Sequence, residues 1–217
     1  MSLVSIIIPV YKSEHLLQFS LNSAVNQTYK NKEIIVINDG SYNEKRIKKI
    51  LVSFKNYPID YISIKKNKGV SYALNMGLKK SRGKYVCWLS HDDIFSKNKL
   101  SEQIKCLKNK NVIVSSNFIE INSLNSLQKK KVLPQNYYDR TTLSLMINDR
   151  LNGCTLLIPK ILIKKIGYFD EKLLHTQDYD MWIRLSRKFK FVHCEKFLLK
   201  MRIHKKQSSK IGKFQAQ

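Results

Sequence analysis

The sequence predicts a single α/β domain built on a mostly parallel central sheet with helices on both faces. Three observations predict it. The runs Val4-Ser5-Ile6-Ile7-Ile8-Pro9-Val10 and Glu33-Ile34-Ile35-Val36-Ile37 are almost continuously apolar, the pattern of strands covered on both sides. Stretches with helical apolar spacing separate such runs, giving consecutive strands the long crossovers that parallel pairing requires. Polar clusters, Asn38-Asp39-Gly40-Ser41 and Ser90-His91-Asp92-Asp93, follow directly on two of the strands, where open α/β sheets bind their ligands.

The strand Val4 to Val10 opens the fold. A helix with Leu16, Leu17, Phe19, Leu21, Ala24 and Val25 at apolar spacing follows, and the strand Glu33 to Ile37 completes a βαβ unit. The alternation continues with a helix over Glu44 to Phe54, a strand over Ile59 to Ile64, a helix over Val70 to Ser81 and a strand over Lys84 to Leu89. The second half is less regular. It reads as a helix from Lys97 to Lys108, a strand from Val112 to Phe118, and a polar loop from Asn122 to Arg140, a length more often functional than connective. A short strand Cys154 to Ile158, a helix Asp178 to Lys188, a strand near Phe197 to Ile203 and a basic tail complete the chain. No repeat or linker divides it. The expected organisation is one domain over residues 1–217, with a regular first half over about 1–95, a less regular second half over about 96–205 and a basic tail over 206–217.

Composition narrows the function classes. With 217 residues, 43% hydrophobic and 26% charged, the chain can bury one ordinary globular core. Its apolar runs fall short of the roughly 18 residues a membrane helix needs. No basic segment precedes an apolar stretch at the start, so neither a signal peptide nor a membrane span is expected. A cytoplasmic location follows, with room for peripheral contact with an anionic membrane. Cys87, Cys106, Cys154 and Cys194 form no CxxC pair, which points to reduced buried thiols rather than a zinc site or disulfide framework. The formal charge of +24, from 40 Lys and Arg against 16 Asp and Glu, admits a nucleic-acid or anionic-surface binding protein. Yet the lysines run from Lys12 to Lys213, and the densest group, Lys129-Lys130-Lys131, falls in the expected loop. The charge therefore reads as a general field that draws in small anions, and no nucleic-acid partner is expected.

Asp92 and Asp93 follow the strand Tyr85 to Leu89, a position where hard oxygen ligands hold Mg²⁺ or Mn²⁺ against a diphosphate and where Asp also serves as a helix N-cap. The second acidic group, Gln177-Asp178-Tyr179-Asp180, opens a helix. A diphosphate leaving group calls for such a carboxylate to accept the proton of an attacking hydroxyl, and helix capping is again the alternative.

Seven segments, SIIIPVY, INDGS, NKGVSYALN, GKYVCWLSHDD, GYFDE, HTQDYDMWIRL and RIHKKQSS, resemble elements of the family-2 glycosyltransferases of the GT-A fold, in family order over nearly the whole chain. The resemblance implies a Rossmann-like, nucleotide-diphospho-sugar transferase fold, with a nucleotide-binding half over about 1–95 and an acceptor-binding half over about 96–205. It also implies an inverting enzyme of glycan or polysaccharide biosynthesis, moving a hexose or N-acetylhexosamine from a UDP-sugar to a glycan, lipid-linked or protein hydroxyl with Mn²⁺ or Mg²⁺. By the same resemblance Pro9 and Tyr11 line the nucleobase pocket, Asp39 reads the uracil edge, and Asn67 and Gly69 close a loop over the nucleotide. Asp92 matches the last Asp of the metal-binding DxD, Asp93 lies behind the metal ligand or faces the sugar, Asp178 matches the general base, and His204 completes the metal site. Asn75 reads equally well as a helix residue satisfying local backbone.

Three residues depart from the family pattern: Ser90 replaces the first DxD carboxylate, Gln177 a Glu before the base, and Leu74 a common Arg. They admit a catalytically degenerate relative, against which the joint presence of Asp39, Asp92 and Asp178 argues. Two other nucleotide enzymes are excluded at the first turn. Pro9-Val10-Tyr11-Lys12-Ser13-Glu14 has neither the Gly-rich loop of a sugar-nucleotide pyrophosphorylase nor the GxGxxG of a dinucleotide-dependent dehydrogenase.

Overall fold

Strand β1 (Val4–Val10) sends Val4, Ile6, Ile8 and Val10 into one hydrophobic cluster and Ile7 into another on the opposite side. β2 (Lys32–Asp39) repeats the division, with Ile34 and Val36 on the first side and Ile35 and Ile37 on the second. Side chains alternate across a strand, so a run without polar alternation means two covered faces. The structure, a computed structural model, describes residues 1–12, 14–107, 112–132, 151–173 and 175–204. α1 (Leu17–Val25) and α2 (Glu44–Val52) cover the first face through residues such as Leu17, Leu21 and Ile47.

β3 (Ile59–Ile64) pairs in parallel with β2, and β4 (Tyr85–Trp88) pairs in parallel with β1 on its other side. Between them runs α3 (Val70–Lys80), which covers the second face with Ala73, Leu74 and Leu78. A second sheet begins with β5 (Ile94–Phe95), followed by α4 (Lys99–Cys106), β6 (Val112–Ile121) and β7 (Leu127–Lys131). β8 (Ile158–Pro159) returns to the first sheet antiparallel to β4, so its order is β3-β2-β1-β4-β8. α5 (Lys160–Ile166) and α6 (Gln177–Ser186) add Leu162, Ile163, Met181 and Trp182 to the second face. The long β9 (Lys190–Arg202) completes the second sheet in the order β5-β9-β6-β7, parallel to β6 and antiparallel to β5. A bridge between Val114 and Leu157 joins the two sheets.

The first half agrees with the sequence reading element by element; the second corrects it. Part of the polar stretch Asn122 to Arg140 is the strand β7, and residues 133–140 lie outside the described residues. β7 is a lysine-rich strand paired, among the described residues, only to β6, so it shows no apolar alternation. The expected strand Cys154 to Ile158 is a 3₁₀ turn over Gly153–Thr155 followed by the two residues of β8. β9 begins at Lys190 rather than near Phe197, because register shifts opposite Ser116 and Asn117 interrupt its period of two. β5 and α5 were too short to read, and the tail 206–217 lies outside the described residues.

Candidate active site

The first site cluster grows from the end of β2. Asn38 Oδ1 accepts the Ser41 amide at 2.9 Å, a side-chain-closed turn that makes Gly40 adopt φ 72°. Gly40 leaves room for more than its own conformation: a Cβ there would stand 2.4 Å from the Asn67 nitrogen. Segment 66–69 therefore lies directly on the turn. Asp39, 2% exposed, holds it there, accepting from the Lys68 amide at 2.8 Å, the Gly69 amide at 2.9 Å and Asn67 Nδ2 at 2.7 Å. Gly69, at φ 93°, then starts α3. Burial raises the Asp39 carboxyl above its ordinary range, and the Lys68 and Gly69 amides only partly oppose it. The Lys12 amide donates to Ser41 Oγ at 3.2 Å, bringing the partly buried Pro9 and Tyr11 beside the same turn. Five of the residues expected at the nucleotide end are thus gathered at one sheet edge.

The second cluster follows β4. The antiparallel register Ile94↔Lys200, continued back along the loop, puts Asp92 opposite Arg202 and within reach of His204. His204 Nε2 and Asp92 Oδ2 are 2.9 Å apart. The His91 ring bonds the backbone of Pro9, which as a proline can only accept, and burial lowers the imidazole's pKa. Asp93 turns inward: its Oδ1 accepts the Arg202 amide at 2.9 Å and its carboxylate takes the Cys154 thiol. Burial, then the charge of Asp92, pushes the Asp93 carboxyl well above its usual range. Ser90 Oγ and its amide lie 3.3 and 3.4 Å from Cys154 Sγ, so a thiol contact occupies the position of the first DxD carboxylate. Among the described residues no three His, Cys, Asp or Glu gather as a ready-made metal cage. The pair of one carboxylate and one imidazole nonetheless fits Mn²⁺ or Mg²⁺, which are commonly held by one or two protein ligands together with substrate phosphates.

Asp178 lies in the first turn of α6, partly buried, and its Oδ1 accepts the Tyr179 amide at 3.0 Å. The helix starts after Thr176, whose φ is 61° and whose side chain makes no cap, so Asp178 does serve one first-turn donor. One turn further, Trp182 stacks on Trp88 at 5.2 Å between ring centres and 5° between planes. Trp88 is the last residue of β4 and precedes the Ser90–Asp93 loop, so Asp178 lies about 6 Å along the helix axis from a ring packed beside that loop. Phe169 meets Trp88 edge-on at 5.6 Å, and Asn75 fixes Phe169 by accepting its amide at 3.0 Å and donating to its carbonyl at 2.9 Å. Asn75 is therefore a brace for the segment leading to α6. Gln177 Oε1 is buried without a partner among the described residues, and Leu74 packs in the core.

A family model described as Glycosyl transferase family 2 matches residues 5–165, well over half the chain. The chain belongs to glycosyl transferase family 2. An uncharacterized glycosyltransferase of Rickettsia prowazekii (strain Madrid E) is 42% identical over 214 residues, covering 95% of this chain and 66% of that protein. Escherichia coli WfgD, named a UDP-Glc:alpha-D-GlcNAc-diphosphoundecaprenol beta-1,3-glucosyltransferase, is 31% identical over 186 residues, 85% of this chain and 70% of its own length. The chain spans only 31% to 66% of the length of five Rickettsia relatives. Among solved structures, S. aureus TarS 1-349 in complex with UDP superposes with a TM-score of 0.76 at 21% identity, covering 94% of this chain and 61% of that one. The mannosyltransferase PcManGT from Pyrobaculum calidifontis, in complex with GDP-Man and Mn²⁺, superposes with a TM-score of 0.72 at 15% identity, over 94% of this chain and 57% of that one. The fold is GT-A.

Within this family-2 chain the sequence reading missed two residues that shape the site, Arg202 and Cys154. Arg202 opens the RIH segment, and only its place as the buried last residue of β9 could have marked it. Cys154 gave no signal, because its partners Ser90 and Asp93 lie some sixty residues earlier.

Proposed function

We propose that this domain transfers a sugar from a UDP-sugar to a hydroxyl acceptor with inversion at the anomeric carbon. The observation that carries the proposal is the division of labour between two strand ends flanking β1. Neighbouring strands lie about 4.8 Å apart, so the Asp39 turn after β2 and the Asp92–His204 pair after β4 are separated by roughly 10 Å across the sheet, a gap a nucleoside diphosphate spans. A carboxylate offers about four lone-pair sites, and Lys68, Gly69 and Asn67 take three of those on Asp39. The fourth suits the uracil imide N–H, a donor that cytosine lacks. The complexes of TarS with UDP and of PcManGT with Mn²⁺ support the same donor class and metal. The name of WfgD supports a lipid-linked glycan as acceptor. We assign donor binding to the half around residues 1–95 and acceptor binding to the half around 96–205, within one domain.

Asp92 and His204 would hold the divalent cation, which when bound supplies positive charge against the diphosphate. Asp178 accepts the proton of the acceptor hydroxyl, whose oxygen forms a bond to the anomeric carbon as the bond from that carbon to the diphosphate oxygen breaks and UDP departs. A carboxylate is a weak base for an alcohol, so Asp178 acts by position and by late proton transfer, worth about 10²–10⁴ in rate. Asp93, turned toward Arg202 and Cys154, keeps the loop in shape.

A melting screen with UDP-, GDP-, CDP- and TDP-sugars and Mn²⁺ tests the proposal, because a ligand at 100 times its Kd stabilises the folded state by about 2.7 kcal/mol. UDP-sugars are expected to raise Tm most. Indifference to every nucleotide sugar, with steeply salt-dependent binding to polyanions instead, would return the protein to the anionic-surface class.

A further inference from the structure

One buried side chain at the site has a geometry that neither donor binding nor proton transfer uses. Arg202 is 1% exposed, and its guanidinium reaches two chain segments. Nε donates to the Asp92 carbonyl at 2.9 Å, one Nη to the carbonyls of Asn122 at 3.1 Å and Ser123 at 3.2 Å, and the other Nη to Asn125 Oδ1 at 2.7 Å. Its face lies 5.6 Å from the ring centre of Phe19 on α1. Its backbone amide, as described, holds Asp93, and His204, two residues on, meets the Asp92 carboxylate. Asp92 is therefore held at both ends, by its carbonyl through Arg202 and by its carboxylate through His204.

The anchor on the far side is itself rigidly built. Asn122 Oδ1 accepts the Leu124 and Ser126 amides, each at 2.9 Å, and Asn125 adopts the left-handed φ of 65°, which together turn the carbonyls of 122 and 123 toward the guanidinium. Only a planar fork with donors fanned over several directions can serve all four acceptors; a lysine ammonium has three donors at one point. A buried cation is a poor device for stability alone, since apolar packing at the same place often does as well. What this one adds is a fixed distance between a surface turn and the Asp92 backbone.

We propose that Arg202 is the positioning residue of the Asp92–His204 pair. It sets how the carboxylate and the imidazole present themselves to a divalent cation, with the Asn122–Ser126 turn as its anchor. The proposal rests on the reading of that pair as the metal-binding end of the donor site.

The test is Mn²⁺ uptake by the UDP-loaded protein, followed by the electron paramagnetic resonance signal of free Mn²⁺, beside metal-free UDP affinity and a melting curve. Arg202→Lys is expected to weaken Mn²⁺ about 10- to 100-fold, the range for groups that orient metal ligands. Metal-free UDP affinity, read at the Asp39 turn, should not change. Asn125→Gly keeps the left-handed backbone, removes one guanidinium acceptor and should weaken Mn²⁺ about 2- to 5-fold. This second variant carries the test if Arg202→Lys fails to fold. Wild-type uptake of Mn²⁺ matched by folded variants overturns the positioning role alone. A wild type that binds UDP but takes up no Mn²⁺ overturns the metal reading and the positioning role together.

Discussion

The two ends of β2 carry carboxylates that are almost equally buried and behave in opposite ways. Glu33 at the start is 6% exposed, and Asp39 at the end is 2% exposed. Burial alone would raise both. At Glu33 it is outweighed by the Ser5 hydroxyl at 2.6 Å, the Arg82 amide at 2.6 Å and the Arg82 guanidinium at 2.8 Å, so the carboxyl is held below its ordinary range. At Asp39 the donors are amides, the charge of Lys68 is the smallest of the opposing influences, and burial wins. The difference separates a carboxylate completed by its own protein from one that keeps capacity for a ligand. It also matches the polarity of the sheet, whose strand starts are closed by internal pairing and whose strand ends carry the candidate site.

Four experiments sharpen or break this contrast. The largest effect belongs to Asp178→Asn, expected to lower turnover by about 10²–10⁴ at saturating donor with an unchanged melting curve, because Asn keeps an acceptor for the Tyr179 amide. A variant that turns over normally but has lost about 1 kcal/mol of stability would make Asp178 a helix cap and nothing more. Next, Asp92→Ala should abolish the response to added Mn²⁺, with activity reduced at least about 10- to 100-fold, and EDTA should do the same to the wild type. Full activity in excess chelator would remove the metal from the ligand-facing edge. Asp39→Ala should then weaken UDP about 10- to 100-fold, as loss of a hydrogen bond to a charged group does. Calorimetry that finds equal UDP affinity in the folded variant would relocate the base pocket.

The smallest effect is expected at the closed edge. Glu33→Gln should cost about 1–3 kcal/mol of stability and leave UDP affinity alone, since it disturbs only the Ser5, Arg82 and Gly83 donors. The sign with pH follows from the depressed folded pKa. The stability Glu33 contributes is present above its unfolded value and is lost as pH falls through its folded one. The gap between wild type and Glu33→Gln should therefore close in acid. Asp39, raised on folding, contributes in the opposite sense: its share is present below its unfolded value and lost as pH rises through the folded one. A gap for Glu33→Gln that widens in acid would break the contrast.

Much of this was legible in the sequence where burial is symmetric. Strands β1 and β2 are covered on both faces, so their runs of Ile and Val announce them, and the polar residues after β2 and β4 fall at the strand ends where open α/β sheets bind ligands. Asp39 with Asn67 and Gly69, and Asp92 with His204, were expected from separate motifs, and the fold joins each set. The second sheet was not legible, because β7 is an exposed lysine-rich strand, β9 is interrupted by bulges and β5 is two residues long. Yet β5 is what aligns the Asp92 loop with the end of β9, so the element least visible in the sequence assembles the Asp92–His204 pair. Asp93 illustrates the same limit: adjacent to Asp92 in sequence, it points the other way, into contacts with residues from β9 and the Gly153–Thr155 turn.

The stacking of Trp88 on Trp182 has an optical consequence. These are the chain's only two tryptophans, and their rings stack in nearly parallel planes. Their excited states couple, so the protein's tryptophan emission and tryptophan exciton dichroism come from one spot, the junction between the strand that leads to Asp92 and the helix that carries Asp178. The molecule thus contains an unlabelled probe whose spectrum reports the seating of that helix.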